Sequence, residues 1–168
     1  MRTRLAVVWE RCVFSQWVMN LLLAAGSLAV GGTGWAAPVN DQCAGAIGLT
    51  NGVAYVMDTT SATSAGDPTP SCAFVFGKGV WFSFTPPFSG QVSISLCGSG
   101  FDTVLALYGS SCAALTQLQC DDDNGPLCAG LQSSLQFTGS AGATYLVLAG
   151  GYGGDYGTLQ ITARWPAR

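Results

Sequence analysis

The stretch CDDDNGPLC, from Cys120 to Cys128, holds the densest chemistry in the chain. Asp121, Asp122 and Asp123 stand side by side, Asn124 and Gly125 follow, and a cysteine closes each end. Adjacent carboxylates repel one another and raise each other's pKa unless a cation neutralises them or water solvates them. Calcium takes about six to eight hard oxygens from carboxylates, amides, carbonyls and water. Asp121, Asp122, Asp123 and Asn124, with backbone carbonyls, offer such oxygens. The alternative is a solvated acidic turn, for which Asp, Asn and Gly are good residues. An EF-hand is excluded: counting from Asp121, Gly125 falls on the fifth position and no Glu follows. Soft metals are disfavoured because the chain has no histidine.

The flanking segments bring in a further carboxylate. TVLALY from Thr103 and LTQLQC from Leu115 read as consecutive strands joined by a short loop. If they pair antiparallel, the end of the second lies beside the start of the first. That places the aspartate triplet near Asp102.

A second candidate lies in GGYGGDYG, where Tyr152, Asp155 and Tyr156 sit on a glycine loop. Aromatic faces stack on sugar rings and an aspartate accepts hydroxyl hydrogen bonds. Trp81, on the opposite strand face from Val80, Phe82 and Phe84, is a third aromatic candidate. The structural alternatives are a tyrosine packed over a sheet edge and a tryptophan covered by a loop. Catalysis finds little support. Serine or cysteine nucleophiles normally lean on a histidine base, which is absent. A glycosidase needs two carboxyl groups across a cleft, and every carboxylate candidate lies at a polar turn. FGKGVW around Lys78 lacks the pattern of a phosphate loop.

The elements that carry these residues read as all-β. Apolar and polar residues alternate in VWFSFT, QVSISLC, SLQFTG and TLQITA, the mark of half-buried strands. TVLALY and TYLVLAG are apolar on both faces, as central covered strands are. Ile47–Leu49 and Val53–Met57 bracket an Asn51–Gly52 turn and read as a hairpin. Turn residues separate all of these segments. The expectation is an antiparallel jelly-roll or CUB-like β-sandwich of about eight or nine strands. The polar stretch Asp58–Pro70 reads as an ordered surface loop.

The chain has 168 residues, suiting one domain after a leader. Arg2, Arg4 and Arg11, the apolar run Val18–Val30 and the small residues after it have the layout of a secretory signal peptide. Cleavage after Ala36 would leave a single domain over 37–168. The apolar run is short for a membrane span of about 20 residues. The remainder carries Lys78, Arg164 and Arg168 against Asp41, Asp58, Asp67, Asp102, Asp121, Asp122, Asp123 and Asp155. So acidic a chain is unsuited to nucleic acid, whose phosphates need lysine and arginine.

Cys43, Cys72, Cys97, Cys112, Cys120 and Cys128 form an even set in an exported chain, which reads as three disulfides. Six cysteines allow fifteen connectivities. Cys43 and Cys72 bracket the first strands and are expected to pair. Cys97 is expected at the same sheet end as Cys120 and Cys128. A Cys112–Cys120 bond would have to span most of a strand and is disfavoured.

The segments NDQCAGAIGL, DTTSAT, VWFSFTPPFSGQVSISLCGSGFDTVLALYGSSCAALTQLQCDDDNGPLC and LQFTGSAGATYLVLAGGYGGDYGTLQIT together resemble the bacterial pre-peptidase C-terminal (PPC) type of domain, in its cysteine-rich form. The resemblance covers Asn40–Thr162, with Val80–Asp123 its most specific block. It implies a jelly-roll sandwich and a secreted, non-catalytic accessory module; such relatives often lie beside extracellular proteases, and some bind calcium or matrix polymers. Position in FDT and DDD carries calcium ligation over to Asp102, Asp122 and Asp123. The chain departs from the usual setting in having no peptidase attached, and it reads Cys-Asp-Asp-Asp where relatives more often read Cys-Asn-Asp-Asp.

Two functions follow as expectations. One is a secreted accessory or adhesive module stabilised by calcium, with an extracellular polymer or a cell-surface protein as partner. The other is a polysaccharide-binding module of the matrix or cell wall. An extracellular hydrolase ranks last, and no membrane span is expected once the signal is removed.

Overall fold

The computed structural model describes residues 35–168. Residues 1–34, with most of the expected signal peptide, lie outside the described residues. Nine strands run in chain order: β1 (Ile47–Gly48), β2 (Tyr55–Asp58), β3 (Phe76–Phe84), β4 (Gly90–Ser95), β5 (Thr103–Ser111), β6 (Ala114–Asp121), β7 (Ser134–Gly139), β8 (Tyr145–Tyr152) and β9 (Thr158–Arg164). They form a five-stranded sheet, β1-β3-β8-β5-β6, and a four-stranded sheet, β2-β9-β4-β7. All pairings are antiparallel except β1 with β3. With β1 set aside, the chain shuttles between the sheets in the double Greek-key order of a jelly roll, as expected.

Alternation explains the core. Val80, Phe82 and Phe84 of β3, Val92 and Ile94 of β4, and Leu159 and Ile161 of β9 meet between the sheets and are almost wholly buried. The intervening residues Ser93, Ser95, Gln160 and Thr162 face outward. β8 and β5 lie inside the five-stranded sheet, flanked on both sides. Their outer faces are covered too. Ala106, Tyr108, Leu146 and Leu148 form a second buried cluster with Trp81. This double burial accounts for the unbroken apolar runs.

The Asn51–Gly52 turn does not close a hairpin. β1 pairs with β3 and β2 with β9, so the turn carries the chain from one sheet to the other. The Asn51 side chain holds both the N–H and the C=O of Trp165, at 3.0 and 2.9 Å. A long-range anchor thus replaces the local ladder that the turn signal suggested.

The three disulfides are Cys43–Cys112, Cys72–Cys120 and Cys97–Cys128, with Cα–Cα separations of 5.7, 5.9 and 5.7 Å. The expected Cys43–Cys72 pair is therefore incorrect. The 58–70 loop folds over the outer face of the five-stranded sheet and delivers Cys72 to edge strand β6. Cys43, ahead of β1, meets the β5–β6 turn instead. Cys97, expected only at the same sheet end as Cys120 and Cys128, bonds Cys128, and Cys112 does not join Cys120, as expected. Among the described residues no helix is long and apolar enough to cross a membrane.

Candidate metal centre

β5 and β6 pair antiparallel, with Leu105 opposite Asp121. Asp102 therefore ends up across from the residues that follow β6. Asp102, Asp122 and Asp123 each bring one carboxylate oxygen to within 4.8 Å of the others. Asp102 and Asp122 are half-buried and Asp123 is exposed. An Oδ1 atom on Asp102 and one on Asp122 are buried without a hydrogen-bond partner. Buried acceptors left unpaired are costly in a fold.

The electrostatics are those of crowded anions. Burial, then Asp123, then Asp155 raise the pKa of Asp102. Burial and the charges of Asp123, Asp102 and Asp121 push Asp122 up to about 6. The arrangement costs free energy as it stands, and a cation among the three carboxylates would offset the cost.

Asp121 and Asn124, expected in the same ligand set, are used elsewhere. Asp121 accepts the backbone N–H of Ser134 at 2.8 Å. Burial raises its pKa against the lowering effect of that bond. Asn124 turns the chain at φ +56°. Its side-chain oxygen accepts the Gly130 N–H at 3.1 Å, and its own N–H reaches the Gly130 carbonyl at 3.0 Å. Both residues shape the loop that presents Asp122 and Asp123. Gly125 lets that loop fold back, because a Cβ there would overlap the Asp121 carboxylate and Ser134. The Ser134 hydroxyl accepts the Leu127 N–H at 2.9 Å, and the Cys97–Cys128 bond holds the return of the loop.

Asp102 is held as firmly. Its neighbour Thr103 is fully buried and donates its backbone N–H to the Leu131 carbonyl at 2.9 Å. The Thr103 hydroxyl also bonds Ser133, accepting its N–H at 2.9 Å. The signal for these supports in the sequence was slight: Ser133 carries no distinguishing mark there, and Ser134 only opens the SLQFTG strand.

The glycine loop lies at the same end. Tyr152 donates its N–H to the Asp102 carbonyl at 3.1 Å. Gly153 and Gly154 adopt φ of +63° and +86°, and Asp155 N–H returns to the Tyr152 carbonyl at 3.0 Å. Asp155, read from the sequence as a sugar contact, stands close enough to Asp102 to raise its pKa. Tyr152 and Tyr156 are 39 % and 55 % exposed. The Lys78 ammonium lies 5.4 Å from the Tyr156 ring centroid, which occupies part of that ring with a cation–π contact.

Trp81 does not serve as an exposed platform. It is 1 % exposed and packs on Tyr108, with ring centroids 5.6 Å apart. Its indole N–H donates to Asp67 Oδ1 at 2.8 Å. The 58–70 loop supplies Asp67 and is itself pinned where the Thr63 N–H and hydroxyl donate to Asp41, at 2.6 and 2.7 Å. The polar loop is the lid of the second apolar cluster, and an outward strand position became a core position beneath it.

No family model matches the chain, and no curated protein matches it. Among solved structures, the chain is similar to the pre-peptidase C-terminal domain of collagenase from Bacillus anthracis. Identity is 12 %, the match covers 71 % of this chain and 94 % of that one, and the TM-score is 0.48. The chain is a disulfide-bonded β-sandwich with a pre-peptidase C-terminal domain as its structural neighbour.

Proposed function

We propose that this chain is a secreted, non-catalytic accessory module with an adhesive role, and that calcium at Asp102, Asp122 and Asp123 locks its acidic sheet end. The supporting observation is the convergence of three carboxylates from two separate segments, with an unpaired buried oxygen on Asp102 and another on Asp122. Hard oxygen donors suit calcium, with backbone carbonyls and water completing the coordination. The ion would neutralise the cluster and join the start of β5 to the loop after β6. The absence of histidine from the chain supports the non-catalytic reading. The partner in this reading is an extracellular polymer or a cell-surface protein. A sugar-binding role for Tyr152, Asp155 and Tyr156 has the two exposed rings as its support, without Trp81 as a third.

Calorimetry in chelator, calcium and magnesium tests the metal. Calcium at a hundredfold excess over Kd should stabilise the fold by about 2.7 kcal/mol. Asp102→Asn should remove most of that gain while relieving repulsion in the metal-free protein. Equal melting temperatures in chelator and in millimolar calcium would leave the cluster a solvated turn.

A further inference from the structure

The outer face of the four-stranded sheet carries a concavity of about 320 Å³ whose lining includes none of Asp102, Asp122, Asp123 or the glycine loop, although its wall belongs to the loop that follows Asp123. Its floor is made by Ser93 and Ser95 of β4 with Gln160, Thr162 and Arg164 of β9. These strands are neighbours, with Ser93 opposite Arg164 and Ser95 opposite Thr162. Leu127 and Cys97 form one wall, and the Cys97–Cys128 bond fixes it. A polar outer face is ordinary for a sandwich. A concavity walled by a disulfide-tied loop is not, and its volume falls at the small end of the range for small-ligand sites, about 300–1,000 Å³.

The lining has a definite chemistry. Ser93, Ser95 and Thr162 offer hydroxyls, each able to donate and to accept. The Gln160 amide is oriented by its bond to the Cys97 carbonyl at 3.1 Å. Arg164 is the one cation in the lining. Gly52, which has no side chain, lies under its guanidinium; a Cβ there would come within 3.2 Å of an Nη atom. The carboxylate nearest in the sheet pattern, Asp58, pairs with Thr158 at the other end of β9. That is six residues from Arg164, or about 20 Å along a strand. Arg164 is thus an exposed planar fork at the end of a row of hydroxyl and amide groups.

We propose that this groove binds a uronic acid residue of an acidic polysaccharide. The guanidinium would take the sugar carboxylate in a two-point contact, the geometry arginine suits best. The serine, threonine and glutamine side chains would meet the ring hydroxyls. One sugar ring fits such a volume. The site uses none of the residues assigned to calcium, so either reading can fail alone.

The test is a titration of the isotope-labelled full protein with trigalacturonate, followed through backbone amide shifts. Chelator is present throughout, so that no divalent cation bridges ligand and protein. Expected are shifts confined to Ser93, Ser95, Gln160, Thr162, Arg164 and the Leu127 wall. Arg164→Gln should weaken binding at least tenfold at an unchanged melting temperature, with Arg164→Lys intermediate. The carboxyl-reduced trisaccharide should bind at least tenfold more weakly, and acetate at equal carboxylate concentration should leave the hydroxyl-bearing residues unshifted. Equal binding of the neutral trisaccharide, full binding by Arg164→Gln, an acetate response matching that of the sugar, or no groove shifts at millimolar trigalacturonate would each overturn the proposal.

Discussion

Tyr152 donates its backbone N–H to the carbonyl oxygen of Asp102 at 3.1 Å, which ties the glycine loop to the carboxylate that β5 presents. The two candidate sites read separately from the sequence thus share one sheet end. A cation bound by Asp102 should be felt across this bond. Calcium should shift the amides of Tyr152 and Gly153 together with those of Asp122 to Asn124, and leave the Asn51–Gly52 turn unmoved. Asp155→Asn removes a charge that raises the Asp102 pKa. It should stabilise the metal-free protein and weaken calcium binding by less than about tenfold, as for a screened charge outside the ligand set. Titration of the labelled protein, wild type and variant, reads both effects.

The Asp67 carboxylate ties the 58–70 loop to the Trp81 indole N–H. Asp67→Ala would leave that buried N–H unpaired, at a cost of about 1–3 kcal/mol. Asp67→Asn retains an acceptor and should cost less. Urea unfolding followed by tryptophan emission checks both. Trp81 emission should shift to the red in Asp67→Ala before global unfolding, since the lid loosens first. An unchanged spectrum would mean that the loop holds without Asp67.

Burial, partly opposed by the Trp81 bond, pushes Asp67 up to about 6, and Asp122 is pushed to about 6 as well. The folded protein therefore binds these protons more tightly than the unfolded chain, whose aspartates titrate near about 4. Stability from these groups is complete below about pH 4 and is lost as pH rises towards 6. Asp58, whose pKa is lowered by its bonds to Thr60, acts in the opposite direction and below that window. In chelator the melting temperature should fall between pH 4 and pH 6. Asp67→Asn and Asp122→Asn should each flatten the fall. In calcium the trend should reverse, because the ion competes with those protons. A profile in chelator that rises through this window would contradict the assignment.

Non-reducing peptide mapping should find Cys43 with Cys112, Cys72 with Cys120 and Cys97 with Cys128. Replacing Cys97 and Cys128 together by serine opens a link between residues 31 apart in sequence. The loss should be about 2–4 kcal/mol. The same change frees the loop after Asp123, so calcium should be held less tightly than in the wild type. A double variant with unaltered calcium response would show that Asn124, Gly125 and Ser134 are enough to set the loop.

Much of this architecture is local in origin, and the sequence alone determined that part. Alternation in QVSISLC and TLQITA reports which side chains enter the core, because the pleat has a period of two. Adjacent strands joined by a short loop pair antiparallel, so the approach of Asp102 to the Asp121–Asp123 triplet follows from chain order. Long-range packing decided the rest. Asn51–Gly52 is a turn in either setting, but the bonds to Trp165 make it a crossover between sheets. Trp81 looks outward by strand parity, and the distant Asp67 loop covers it alongside Tyr108 and its other neighbours on the outer face. Cys43 and Cys72 bracket one stretch of chain, yet Cys43 is carried to the β5–β6 turn and Cys72 to strand β6. Asp121 and Asn124 match Asp122 and Asp123 in type and neighbourhood. Their oxygens are claimed by Ser134 and Gly130, residues from the far side of the loop. Residue spacing encodes the period of an element and its nearest partner. It does not encode which backbone donors the rest of the chain brings within about 3 Å of a given carboxylate, and that competition decides which aspartates remain free for a metal.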